Sequence, residues 1–198
     1  MQSTPGAVTL ITAFEVPPEA DTAFVEGWER ARDAHAGKDR SGRTVLHRAL
    51  RTDAELRFVD VARVASPEAW RQAVDDPALA GGEIPFPAHP GLYGIVHEDG
   101  IPDGRDGVVL INAFEVADGE EDRFMTGWDR ARELLAAQPG YLGTRLHRSL
   151  GPADFRFVDI ARWSSPLAFT RARSQPGLQP AAAMPFASHA ALYQVSRG

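Results

Sequence analysis

The sequence contains two copies of one unit, and this repeat limits the folds that the chain can adopt. Ala13–Val16 recurs as Ala113–Val116, and Gly27–Arg32 recurs at 127–132 with one change, Glu to Asp. Further matches are Leu46-His47-Arg48 with Leu146-His147-Arg148, Arg57–Asp60 with Arg156–Asp159, Pro85-Phe86 with Pro185-Phe186, and Leu92-Tyr93 with Leu192-Tyr193. Matches this dense indicate a duplication. We therefore divide the chain into a first copy, residues 1–98, and a second copy, residues 107–198.

Each copy has the same order of predicted elements. An alternating segment predicts a strand, and the apolar positions then change to helical spacing, as in Phe124, Trp128, Ala131 and Leu135. Ser-Pro at 66–67 and 165–166 pairs an N-cap residue with proline at the first helical position, so a second helix starts there. In the first copy, strands are predicted at 8–16, 44–50, 56–64 and 92–96. The second copy has matching segments, of which the last is at 192–195. A linker between the copies is predicted at 98–107.

The resulting order, β-α-β-β-α-β, is that of the ferredoxin-like motif. Two helices cover one face of such a four-stranded sheet and leave the other face apolar and exposed unless a partner covers it. The second copy supplies that partner. We expect an α+β protein in which two ferredoxin-like βαββαβ repeats form an intramolecular pseudo-dimeric α+β barrel, with further oligomerisation left open.

Composition excludes several classes of function. The net charge is −6, from 21 basic and 27 acidic residues, which argues against binding to nucleic acid or to an anionic membrane. There is no cysteine, so disulfides and thiolate metal sites are excluded. The N-terminal residues have no charged segment followed by an apolar run, so we expect no signal peptide and a cytoplasmic location. No spacing typical of metal ligands occurs, and we expect no metal site.

Four segments together resemble the antibiotic biosynthesis monooxygenase family. They are NAFEV at 112–116, GW at 127–128, RFVDIARWSSPLAF at 156–169 and PFASHAALY at 185–193. The resemblance extends over each half of the chain and implies the dimeric ferredoxin-like barrel. It also implies oxidation of aromatic polyketide phenols or anthrones to quinones by dioxygen, without metal or flavin. A related branch binds and degrades haem, and other members have no established activity.

Two residues of the second copy are candidates because the first copy lacks them. Asn112 shares a strand face with Leu110 and Phe114, where a polar group is costly unless it has a partner; the first copy has Thr12 there. A bond to neighbouring backbone would explain it equally well. Trp163 replaces Val64, and it is either a core residue or a wall against which a flat substrate stacks. The resemblance favours the functional alternative for both residues.

The other candidates have a counterpart in the first copy, which favours structural roles for them. His189 is a catalytic candidate because imidazole exchanges protons near neutral pH. Arg148 could steady a phenolate, although the simpler expectation is a cross-strand pair between Arg48 or Arg148 and Asp60 or Asp159. Tyr93 and Tyr193 are expected at the sheet edge. The predicted substrate-binding set is Phe114, Arg148, Phe186 and Tyr193, and the predicted catalytic set is Asn112, Trp163 and His189.

Three hypotheses follow for function. The first is a cofactor-independent oxygenase whose partners are a small aromatic molecule and dioxygen. The second is a haem-binding or haem-degrading protein with His189 as axial ligand. The third is a non-catalytic module that binds a small molecule. In each case we place the working pocket in the second copy and treat the first copy as a scaffold.

Overall fold

The computed structural model describes residues 8–35, 44–64, 66, 68, 84–100, 107–175 and 185–197. The first copy contains β1 (Val8–Phe14), a short 3₁₀ helix (Pro18–Ala20), α1 (Asp21–His35), β2 (Thr44–Ala49), β3 (Phe58–Val64) and β4 (Ala88–Gly100). The second copy contains β5 (Val108–Glu115), α2 (Glu121–Ala136), β6 (Tyr141–Ser149), β7 (Phe157–Trp163), α3 (Pro166–Arg173) and β8 (Ala187–Arg197). Of the described helices, none is long and apolar enough to cross a membrane.

The eight strands form one closed antiparallel barrel to which each copy contributes four. The order around the barrel is β1-β3-β2-β8-β5-β7-β6-β4. The two copies therefore meet along two seams, β2 with β8 and β4 with β6. This architecture confirms the predicted α+β barrel of two ferredoxin-like repeats.

Side chains from both copies fill the barrel interior. Ile11 and Ile111 belong to one cluster there with Tyr93 and Tyr193. The Tyr93 hydroxyl donates to the Phe155 carbonyl (3.0 Å), and the Tyr193 hydroxyl donates to the Leu56 carbonyl (2.6 Å). Each tyrosine thus binds the backbone of the other copy. The expected location of the two tyrosines at the sheet edge is wrong, because they lie in the centre of the fold.

The helices cover the outer face of the sheets through the predicted apolar stripe. Phe124 and Trp128 of α2 are buried, and the Phe124 ring stacks on Phe157 with centroids 4.3 Å apart. The first copy repeats this contact between Phe24 and Phe58, also at 4.3 Å. Helix α3 begins where it was predicted, with the Ser165 hydroxyl accepting the Ala168 amide proton at 3.1 Å.

The last strand of each copy is longer than predicted. β4 extends to Gly100 because it pairs with β6 across the seam, ending at Gly100 opposite Gly143. The predicted linker therefore begins within a strand, and its residues 101–106 lie outside the described residues. The helix predicted at Ser66-Pro67 also falls outside them, apart from residues 66 and 68.

We expect Phe124→Ala to lower the free energy of unfolding by about 3–5 kcal/mol, because it removes a fully buried ring and leaves a cavity. Chemical denaturation of both proteins would measure the difference. Leu167→Ala, at a side chain that is 56% exposed, serves as the control and should change stability by less than about 0.5 kcal/mol. Equal effects of the two changes would contradict the proposed packing.

Candidate functional site

A cavity of about 210 Å³ lies in the second copy, between the outer face of its sheet and the helices α2 and α3. Its apolar walls include Leu110, Phe114, Trp128, Phe169 and Phe186. Polar side chains enter it from both the sheet and the helices: Asn112, Arg132, Tyr141, Thr144, Asp159, Arg173 and Ser188. A few polar groups in an apolar recess are typical of a small-molecule site.

Asn112 lies at the centre of the sheet wall of this cavity. It stands opposite Asp159 of β7 on one side and Ala190 of β8 on the other. Its Oδ1 atom is buried and has no hydrogen-bond partner within the described part of the chain. Backbone bonding therefore does not account for this oxygen. The residue lies in a pocket as expected, and its role stays a prediction.

Asp159 is the ionisable group beside Asn112. Its carboxylate accepts a hydrogen bond from the Thr144 hydroxyl at 2.5 Å and another from the Trp128 indole. Desolvation raises the pKa of Asp159 to about 6, against these hydrogen bonds, and the nearby charge of Asp99 adds to the increase. A carboxyl group with this pKa is ionised near neutral pH and can accept a proton there.

Asp159 was not among the predicted site residues. The expected partner of Asp159 is Arg148, but strand register places Asp159 opposite Asn112 and Leu146. Arg148 contacts Glu121 at 3.3 Å and is 45% exposed, and Arg48 contacts Asp21 at 3.8 Å. The expected cross-strand pair is therefore wrong. The signal that could have found Asp159 is its position on the same strand face as Leu146 and Asn112, given the pairing of the strands.

Trp163 lies behind the cavity. It is fully buried and makes edge-on contacts with two lining residues, Phe169 (5.4 Å between centroids) and Tyr141 (5.5 Å). The expectation that its indole forms the wall is corrected, because the rings of Phe169 and Tyr141 line the cavity instead. Trp163 supports those rings.

His189 lies on the opposite face of the sheet from Asn112. Ser188 and Ala190 line the cavity, and side chains alternate along a strand, so the imidazole points away from it. Its Nδ1 is 2.7 Å from Glu55 Oε2 and its Nε2 is 2.9 Å from Glu115 Oε1. The structure does not bring His189 together with Asn112, which corrects its placement in the catalytic set.

His89 makes the same arrangement in the first copy, with Asp154 at 2.7 Å and Glu15 at 2.9 Å. Each histidine therefore bridges a carboxylate of its own copy and one of the other copy. The Phe155 ring lies between the two imidazoles, with centroids 5.3 Å from His89 and 5.2 Å from His189. This pseudo-symmetric cluster ties the copies together and favours a structural role.

The predicted substrate-binding residues divide into two pairs. Phe114 and Phe186 line the cavity, and their role in substrate binding stays a prediction. Arg148 does not line it, because its guanidinium extends to Glu121 at the start of α2. Tyr193 does not line it either, because it is buried in the barrel interior and bonded to Leu56.

The lining residues do not provide an obvious haem ligand. The side chains described at the cavity include no histidine, cysteine or methionine. His189 points to the other face of the sheet, where it contacts Glu115. The segment between β7 and β8, residues 164–186, contains no histidine. The described donor set therefore does not fit axial ligation of haem iron by imidazole or sulfur.

Comparisons with known proteins agree with this geometry. Residues 107–184 match the family model described as antibiotic biosynthesis monooxygenase. By this match the second copy is similar to the antibiotic biosynthesis monooxygenase family. The matched segment carries Asn112, Asp159 and most of the cavity, and the first copy repeats its fold. A comparison with curated proteins finds no match.

Solved structures of the monooxygenase family and its fold relatives resemble the chain. An anthrone oxidase-like protein aligns with 100% of this chain and 94% of its own, at a TM-score of 0.78 and 16% identity. The haem-degrading enzyme LmHde of Listeria monocytogenes aligns with 95% of this chain and 98% of its own, at a TM-score of 0.51 and 15% identity. SnoaB of Streptomyces nogalater, a cofactor-independent oxygenase, aligns with 46% of this chain and 94% of its own, at a TM-score of 0.42 and 31% identity. The first two likenesses show the shared barrel fold.

The His189 cluster should make stability depend on pH. Partial burial opposes protonation, but Glu115 and Glu55 outweigh it and raise the pKa of His189 above its ordinary value. The stabilisation is then complete below the pKa of the unfolded chain, near 6.5, and is lost as the pH rises through the higher folded pKa.

We therefore expect His189→Gln to destabilise the protein by about 0.5–1 kcal/mol at pH 6 and by less at pH 9. Thermal unfolding of the variant and the wild type at both pH values measures this. Glu55→Gln should reproduce the pattern, since it removes one partner of the same imidazole. A difference that stays constant with pH would contradict the proposed charge pairing.

Proposed function

We propose that the second-copy cavity oxidises an electron-rich aromatic phenol or anthrone with dioxygen, without a metal or organic cofactor. The observation that supports this most directly is the adjacent pair Asn112 and Asp159 on the wall of an aromatic cavity. One group of the pair can accept a proton and the other can hydrogen-bond to an oxygen atom. The volume, about 210 Å³, exceeds the ~150 Å³ that accommodates a benzene ring.

In the first step, Asp159 removes a proton from the substrate. The carboxylate already lies in the wall, held by Thr144 and Trp128, so it needs no rearrangement to act. Its pKa of about 6 keeps it ionised at neutral pH while making it a stronger base than an exposed carboxylate. The product of this step is a phenolate or an anthrone anion.

In the second step, the substrate anion transfers one electron to dioxygen, and the resulting radical pair combines to form a carbon–oxygen bond. The peroxide takes the proton back from Asp159. Loss of water, with the remaining hydrogen on that carbon leaving as a proton, then gives the quinone carbonyl. A CH₂ group and O₂ thus become C=O and H₂O, and the substrate itself supplies all four electrons.

The remaining lining groups stabilise charge in this sequence. The Asn112 amide can donate through its nitrogen to the substrate oxygen or to the peroxide, and its Oδ1 atom, which has no partner among the described residues, can accept from a substrate hydroxyl. Arg132 carries a positive charge into the cavity from α2. Fixed dipoles and charges in a recess with little water stabilise a developing anion more strongly than bulk solvent does. Phe114 and Phe186 provide the apolar surface for the rings.

The match of residues 107–184 to the monooxygenase family supports the reaction class, and the whole-chain likeness to an anthrone oxidase-like protein supports the substrate class. The haem alternative receives less support from this chain, because the described lining residues lack an imidazole.

We expect Asp159→Asn to lower kcat for an anthrone by about 10²–10⁴-fold, because the amide cannot accept the proton. Oxygen uptake, together with the mass of the quinone, measures the rate. For the wild type, kcat/KM should rise as the pH increases through about 6, since only the ionised carboxyl is active. A pH-independent rate, or full activity of Asp159→Asn, would show that Asp159 is not the base.

Asn112→Ala should lower kcat by about 10²–10³-fold through loss of one hydrogen bond to the developing oxyanion. The matched control is Thr12→Ala, because Thr12 is the first-copy counterpart of Asn112 and does not line the cavity. Similar losses in the two variants would contradict the assignment of the reaction to the second copy. An anthrone that binds to the wild type and is recovered unchanged under air would instead identify a binding module.

A further inference from the structure

One carboxylate outside the cavity holds several groups that line it. Asp99 Oδ1 accepts hydrogen bonds from the Tyr141 hydroxyl (2.7 Å) and from the Thr144 backbone amide (3.2 Å). Its Oδ2 accepts one from Arg132 Nη1 (3.2 Å), and His97 Nε2 lies 3.3 Å away. Three residues of the cavity wall therefore depend on one side chain.

Asp99 lies near the end of β4, the strand that begins in the first copy and extends past the predicted boundary at residue 98, whereas the residues that it holds belong to the second copy. It reaches them because strand register shifts between Ile95 and His97, the position of a β-bulge. Ile95 stands opposite His147, but after the shift His97 stands opposite Leu146 and Asp99 opposite Thr144. A bulge re-aims the side chains that follow it. The end of β4 thereby turns toward α2, and the His97 ring packs edge-on against Trp128 at 5.1 Å.

We infer that Asp99 is a positioning residue for the proposed oxidation, through which the first copy completes the active cavity of the second. It fixes Arg132 and Tyr141 in place and sets a second negative charge close to Asp159. This inference rests on the proposed function for its kinetic consequences only, since the contacts exist in the free protein.

Charge supports the same role. Desolvation opposes ionisation of Asp99, but hydrogen bonds from Tyr141, His97, Thr144 and Arg132 outweigh it and lower the pKa of this carboxyl. Asp99 therefore stays charged and contributes to the raised pKa of Asp159. Among the described residues, the other charged or titratable groups near Asp159 are His97 of β4 and Tyr141 of β6, together with Arg132 of α2 and Arg173 of α3, which line the same cavity.

The opposite seam places a different side chain at the matching position. Pairing of β2 with β8 also shifts register, and Arg197 stands opposite Leu46 where His97 stands opposite Leu146. Arg197 binds Glu29 of α1 at 2.6 Å. The end of β8 thus presents a cation to the first copy, while the end of β4 presents an acid to the second. Both seams shift register at the same place, and the position that Arg197 occupies in β8 is occupied by His97 in β4.

The test compares Asp99→Asn with Glu98→Gln. Glu98 is the neighbouring acid on the same strand, and it pairs with Arg145 at 2.6 Å without contacting a lining residue. In the free protein, the indole N–H resonance of Trp128, identified by its loss in Trp128→Phe, reports the ionisation of its partner Asp159. We expect Asp99→Asn to move the midpoint of this titration to lower pH and Glu98→Gln to leave it unchanged. An unmoved midpoint in Asp99→Asn overturns the inference.

Kinetics with an anthrone provide the second readout. We expect Asp99→Asn to lower kcat by about 10–100-fold with little change in KM, because misplacement of groups around the reacting atoms affects the transition state most. Asp99→Glu keeps the charge but lengthens the side chain, so it should retain the titration midpoint and still lose kcat. Full kcat in a folded Asp99→Glu overturns the positioning role, even if Asp99→Asn does not fold.

The two proposals fail in distinguishable ways. A wild type that oxidises no anthrone contradicts the proposed reaction. The titration of the Trp128 indole resonance still tests whether the charge of Asp99 affects Asp159 in that case. An active wild type whose rate and titration are both unaffected by Asp99→Asn contradicts only the inference about Asp99.

Discussion

Strand pairing across the two seams is the interaction on which the rest of the structure depends. Each copy alone is a curved half-sheet with an apolar concave face, and β2–β8 and β4–β6 pairing joins the halves into a closed barrel. Closure removes the four exposed sheet edges at once, which an open sheet would otherwise present to solvent or to other chains. The Tyr93 and Tyr193 hydroxyls then bind the backbone of the opposite copy, so the interior also joins the two halves.

Because side chains fill the interior of the closed barrel, a ligand site can form on the outer face of the sheet. The interior is filled with side chains, including buried His47 and His147, whose pKa values burial lowers to about 4. These imidazoles are neutral at physiological pH and bond to the carbonyls of Val59 and Val158, so they belong to the packing. The cavity forms instead between the sheet and its covering helices, where Phe124 and Phe157 pack tightly at one end and shorter or polar side chains leave space further along.

Much of this could be predicted from the sequence because the repeat and the helical stripe are local patterns. The barrel follows from the need to cover an apolar sheet face, and Asn112 follows from a polar residue among apolar neighbours. The positions of His189, Trp163 and Tyr193 could not be predicted in the same way. A strand's register decides which face each side chain occupies, and one residue of shift reverses it. The bulge before His97 is such a shift, and it depends on pairing with β6, some fifty residues further along the chain.

Fusion of the two copies explains why one cavity can have features that the matching position in the other copy lacks, which is impossible in a symmetric dimer. In a homodimer every substitution appears at both seams, so an acid at the end of the last strand would approach both sites. In this single chain the ends of β4 and β8 differ, with Asp99 beside Arg132 at one seam and Arg197 beside Glu29 at the other. Both sheets carry an acid at the matching position, but Asp60 stands opposite Thr12, whereas Asp159 stands opposite Asn112 and is affected by the charge of Asp99. The asymmetry of the proposed site therefore arises as much from the seam as from the strands that carry the lining residues.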